Sequence, residues 1–181
     1  SPYLFVTGLG GGAGYNRRLI PPGDVTAVAG YPLVTAIDGG LVDDPMRALD
    51  QMGALMPPKR GSLWIAAGVR FTSFALVETT AVAYVSLDRG VEVGVLGLSR
   101  AAIPDKTKAL AAVELAIKAR FSSDEGVLSV QAQLTDHSWL LSKDCQLTGG
   151  FAFFIWFPRG QFVLTLGGYH PAFAKPSEFP I

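Results

Sequence analysis

At 181 residues, 49% hydrophobic and only 17% charged, the chain is long and apolar enough for one folded domain with a substantial core, which excludes intrinsic disorder. Fifteen Lys+Arg balance fifteen Asp+Glu, so no basic excess attracts phosphate backbones, and nucleic acid is excluded as the main partner. The single cysteine, Cys145, excludes an intramolecular disulfide, and no run approaches the roughly 18 apolar residues of a membrane-spanning helix.

The chain begins at Ser1 with no initiator Met and no signal pattern, which predicts a segment of a longer protein. Residues 1–60 are rich in Gly and Pro and predict short elements. Tyr3 to Val6 reads as a short strand, followed by a glycine loop from Gly8 to Gly14. Pro21 and Pro22 stop any helix there, and Asp24 can cap one helical turn over 24–29. The best helix spans 44–56. Asp43 or Asp44 accepts from its first-turn N–H groups, Pro45 suits its first position, and Met46, Leu49, Met52 and Leu55/Met56 form one apolar stripe. Pro57-Pro58 ends it.

From Ser62 the hydrophobic period changes to two. Strands are predicted over 63–71, 74–87, 91–98, 107–121, 127–134, 146–157 and 161–169. Asp88-Arg89-Gly90, residues 122–126 and Pro158-Arg159-Gly160 read as tight turns, which join only antiparallel neighbours. Residues 109–120 are good helix formers, yet apolar residues fill the odd positions while Lys108, Glu114, Lys118 and Arg120 occupy even ones. The following turn and strand favour a hairpin, so strand is the reading, with helix the alternative. Leu128, Val130, Ala132 and Leu134 then share one sealed face, and Ser129, Gln131 and Gln133 a wet one. The fold class is α+β, mainly β: an antiparallel meander of long strands, a Gly/Pro-rich N-terminal part and one amphipathic helix packed on it. It forms a single domain over 1–181, with the β region at 61–170 and a tail at 171–181.

No catalytic or metal signature stands out, and no cofactor is expected. Gly8-Leu9-Gly10-Gly11-Gly12-Ala13 matches G-x-G-x-x-A, but no adequate helix follows, so a flexible or tightly turned segment is expected rather than a dinucleotide loop. His137, His170 and Cys145 sit in unrelated loops. Hydrogen bonding at loop ends explains the histidines, and partial burial explains Cys145. Glu78, Glu92 and Glu114 are expected to line a solvated sheet surface. Acid–base work on an envelope polymer would need them to converge with Asp136 and His137.

The most distinctive segment is the C-terminal hairpin, apolar on both faces. Phe151, Phe153, Phe154, Trp156, Phe157 and Phe162 form its candidate interaction or ligand surface. The structural reading places it centrally, covered by the 44–56 helix and the N-terminal segment.

Gly14-Tyr15-Asn16-Arg17, Tyr31-Pro32-Leu33-Val34 and Ala66-Ala67-Gly68-Val69-Arg70-Phe71 resemble a domain of unassigned function found in very large, strand-rich bacterial proteins. The tract 124–134, Leu147-Thr148-Gly149-Gly150-Phe151 and Leu166-Gly167-Gly168-Tyr169-His170-Pro171 extend the resemblance over nearly the whole chain. It implies a piece of a longer protein and an association with injection-type secretion loci, and it supplies no activity. The expected function is a non-enzymatic structural or interaction module, partnered by neighbouring domains or other subunits. The alternative is a carrier of lipid or another apolar ligand.

Overall fold

The computed structural model describes residues 3–39, 45–74, 76–104 and 108–167. They form one open antiparallel sheet with few helices. Its strands are β1 (Leu4–Arg17), β2 (Pro58–Ser73), β3 (Val77–Leu87), β4 (Val91–Ile103), β5 (Ala111–Ser122) and β6 (Val127–Leu134). They continue with β7 (Trp139–Leu140), β8 (Ser142–Gln146), β9 (Gly150–Trp156) and β10 (Gln161–Gly167). Hydrogen-bonded neighbours run β1-β2-β3-β4-β5-β6-β9-β10, while β7 pairs with β5 and β8. Helices α1 (Pro32–Asp38) and α2 (Pro45–Leu55) follow β1 and precede β2, as does a 3-10 turn at Thr26–Val28.

The period-two reading holds from β2 onward. Residues 109–120 contribute a strand rather than a helix, and β6 has the predicted bounds. The turn after β9 is a 3-10 turn closed by Gly160 at φ 60°. The stretch predicted over 146–157 is instead split between β8 and β9, and the predicted starts at 74 and 107 move to Val77 and Ala111.

The N-terminal part departs further. The glycine run is no loop: it lies inside β1, paired from Leu4↔Ser73 to Arg17↔Pro58. Glycine is a poor strand former in isolation. Here it serves close approach, since a Cβ on Gly14 would lie 2.2 Å from Trp64 Nε1. Helix α1 was not expected from sequence, being seven residues long and rich in β-branched side chains. Pro32 starts it, Gly39 at φ 94° ends it, and burial of Leu33 and Val34 holds it. Met46, placed on the buried stripe by its spacing, is 70% exposed, whereas Met52 and Leu55 pack on the core. The Asp43/Asp44 cap, Leu49, His170 and the tail lie outside what is described.

The core is the layer between one sheet face and the β1–β2 connection. Leu19, Val25, Val28, Tyr31, Leu33 and Val34 press on Trp64, Ala66, Val82, Tyr84, Leu96, Leu98 and Ala116. This corrects the expected cover of the C-terminal hairpin. A connection tethered between β1 and β2 stays near that edge, and the helical layer makes its main sheet contacts with β1 to β5. The β9–β10 hairpin ends the sheet at the opposite edge.

Candidate functional site

Residues in direct register on adjacent strands share a face, so the two faces can be read across the sheet. One row runs Gly12, Ala66, Tyr84, Gly94, Arg120, Ser129, Phe154 and Val163. This is the face under the helices. From Arg70 onward it holds every charged side chain of β2 to β5: Arg70, Glu78, Glu92, Arg100, Glu114, Lys118 and Arg120.

Beyond the apolar core Arg70, Glu78, Arg100 and Glu114 form a cluster at the end of α1, while Glu92 pairs with Arg120 and Lys118 donates to the Gly23 carbonyl. Asp38 closes that helix, where a negative charge is poorly placed against the helix dipole. Arg100 Nη1 binds its carboxylate, Thr80 donates to it at 3.0 Å, and Arg70 donates to the Asp38 carbonyl at 3.0 Å. Glu114, 5% exposed, takes Arg100 Nε at 2.5 Å and Thr135 Oγ1 at 2.7 Å. Its Oε1 lies 3.1 Å from His137 Nδ1, and Ser138 holds its backbone at both N–H and carbonyl. Burial pushes the Glu114 carboxyl up, but the hydrogen bonds from Arg100 and Thr135 and the guanidinium charge outweigh it. The group is held below the ordinary carboxylate range. Asp38 is shifted the same way by the same balance of burial, Arg100 and Thr80.

A cavity of about 500 Å³ opens beside this cluster, with Glu78, Arg100, Glu114, His137 and Trp139 in its wall. The structure therefore brings Glu114, His137 and Asp136 together, the last 3.3 Å from the imidazole, and leaves Glu92 apart beside Arg120 and Tyr84. Glu114 is buried rather than solvated, which corrects the expected wet surface. A carboxylate pinned between Arg100 and Thr135 with a depressed pKa is a poor proton donor at neutral pH. What the arrangement does is staple α1 and the 135–138 turn to β4 and β5. Among the described residues, no three His, Cys, Asp or Glu side chains gather as a metal centre requires. Cys145, expected to be partly buried, is exposed on β8.

The opposite face is the more informative one. Its middle row reads Gly11, Ala67, Ala83, Val95, Ala119, Val130, Phe153 and Leu164. The rows on either side read Ala13, Ile65, Val85, Val93, Phe121, Leu128, Ile155, Phe162 and Leu9, Val69, Ala81, Gly97, Ile117, Ala132, Phe151, Leu166. No charge occurs in these rows. The polar pair Thr79 and Ser99, bonded to each other at 3.0 Å, lies farther along the strands. No described element covers this face: Ile65 on β2 is 57% exposed, and Val95 on β4, near the middle of the sheet, is 42% exposed. Leu128, Val130, Ala132 and Leu134, expected to be sealed, belong to it and are half-buried by their strand neighbours alone.

The six aromatic candidates divide between the faces. Phe151, Phe153 and Phe162 stand on the uncovered face. Phe157, in the turn after β9, meets Phe121 edge-on at 6.3 Å. Phe154 and Trp156 point the other way and stack at 5.6 Å. Sequence reading missed the rest of the apolar face. The available signal was parity, since the strand charges from Arg70 to Arg120 all occupy even positions and the odd strand positions between them carry none.

No curated protein and no solved structure matches the chain. Over residues 1–181 it matches the model of a family of unknown function, DUF6603, so the chain belongs to that family.

Proposed function

We propose that this chain is a non-enzymatic structural and protein-interaction module of a larger bacterial protein, docking through the uncovered apolar face of its sheet. One observation carries the reading: charge and apolar surface are segregated to opposite faces, and the helices sit on the charged one. Water-soluble monomers rarely expose more than a few hundred Å² of contiguous apolar surface. A face of this extent is the mark of a surface that a partner covers. The Gly/Pro-rich N-terminal part and the amphipathic α2 serve in this reading as the cover of the other face. The aromatic hairpin forms one end of the docking surface.

The test is dye binding and stability together. The purified chain should bind a hydrophobic dye or assemble, and Val93→Glu with Ile65→Glu should remove that behaviour while leaving the far-ultraviolet circular dichroism unchanged. A monomer that stays dye-silent overturns the reading.

The second reading, a carrier of lipid or another apolar ligand, is favoured by the hairpin alone, whose two faces are both only partly covered. A co-purified acyl lipid in native mass spectrometry supports it, and its absence after gentle isolation counts against it.

A further inference from the structure

We infer that the partner of the uncovered face is the same face of a second copy of this chain, the two sheets stacking in a symmetric dimer. This rests on the docking reading above and adds the identity of the occupant.

The first argument is chemical. In a two-fold interface each patch meets itself, so a charge near the axis meets its own copy. The three rows of this face contain no Asp, Glu, Lys or Arg, and the chain's formal net charge is zero, so nothing repels a second copy at short or long range.

The second is area. Eight strands lie side by side on the main path of the sheet. At about 4.8 Å between strands and 3.3 Å per residue, three apolar rows spanning about six residues cover roughly 750 Å² per copy. Two copies bury about 1,500 Å², within the range of about 1,200–2,000 Å² for a standard stable interface.

The third is shape, and it selects this partner. The middle row rises from Gly11, Ala67 and Ala83 at the β1 end to Val130, Phe153 and Leu164 at the β10 end. With the two-fold axis along the strands, between β4 and β5, the row meets its own reverse. Gly11 then faces Leu164 of the other copy, Ala67 faces Phe153, Ala83 faces Val130, and Val95 faces Ala119. Each small side chain meets a larger one, and the short residues at the centre let two sheets approach to the usual ~10 Å. A bilayer offers a poorer cover. The sheet is open at β1 and β10 among the described residues, and unpaired backbone at such edges is costly in hydrocarbon.

Light scattering on the eluting full chain tests this, with a mass twice 19.2 kDa expected at high micromolar concentration. Val95→Glu, at a position already half exposed in the single chain, should raise the dimer dissociation constant by about a hundredfold or more with the fold intact by circular dichroism. Ala67→Phe should weaken the dimer about tenfold by setting ring against ring, and adding Phe153→Ala should restore it. Rescue by that double swap supports the stacked pair specifically. A dimer indifferent to Val95→Glu overturns the assignment. So does a monomer that instead binds a hydrophobic dye or phosphatidylcholine vesicles, although the docking reading then survives. A monomer that binds neither overturns both.

Discussion

Glu114 shows how a residue that sequence reading leaves at the surface becomes a structural fastener. Its carboxylate is buried, and Arg100, Thr135 and His137 surround it. Removing its charge strands Arg100 between fewer partners, but that guanidinium is 40% exposed, so solvent screens part of the loss. Glu114→Gln should therefore destabilise the fold by about 1–2 kcal/mol, read as a lower urea midpoint with an unchanged slope. The pH dependence follows from the sign of the shifts. Asp38 and Glu114 have folded-state pKa values below their unfolded ones, so acidification makes the unfolded state bind more protons than the folded state. Their contribution is fully present above about pH 5 and is lost as pH falls through about 4 and below. Asp38→Asn combined with Glu114→Gln should flatten that acid limb of the stability profile. An acid limb equally steep in the double variant would remove the cluster from the account.

At the scale of the element, each long strand has two different jobs, and substitution should separate them. Gly94 on β4 lies under the Tyr84 ring, whose carbons a Cβ would approach to 2.3 Å. Tyr84 is 2% exposed and its hydroxyl donates to Glu92 at 3.0 Å, so the ring cannot swing away freely. Gly94→Ala, which strand propensity alone would favour, should cost about 1–3 kcal/mol by overpacking, measured by urea denaturation. Its neighbour Val95 points to the uncovered face, where Val95→Ala should leave the stability of the single chain almost unchanged. This two-sidedness was half legible in the sequence. Alternation located β2 to β6, and the turn residues at 88–90 and 122–126 located two of their connections. What alternation does not say is which face gets covered. The ordinary expectation, apolar in and charged out, failed because the helices hang from the β1–β2 connection. They meet the face carrying Arg70, Arg100 and Glu114 and form their core on its inner residues Val82, Leu96 and Leu98. The glycine strand was illegible for a different reason. Five glycines in β1 argue against a strand locally, and only the pairing with β2 and the approach of Trp64 and Ile37 explain them.

The described residues thus form two layers, a sheet with helices on one face, and leave the other sheet face bare, so stability should depend on whether a second copy covers it. If two copies stack, folding is coupled to association, and the unfolding equilibrium gains a concentration term. Each tenfold rise in total protein then adds about 1.4 kcal/mol per dimer. For two chains of 181 residues, with an unfolding entropy of roughly 2.1 cal/mol/K per residue, that corresponds to a rise of about 2 °C in Tm. A single folded chain has no such term, because its unfolding is unimolecular. Scanning calorimetry over a hundredfold range of concentration should thus move the wild-type Tm upward by about 4 °C. Val95→Glu should hold a constant, lower Tm across the same range, since its altered side chain is solvated once the copies part. A wild-type Tm independent of concentration, at concentrations where scattering reports a dimer dissociating and reforming, would mean that the stacked face contributes nothing to holding the chain folded.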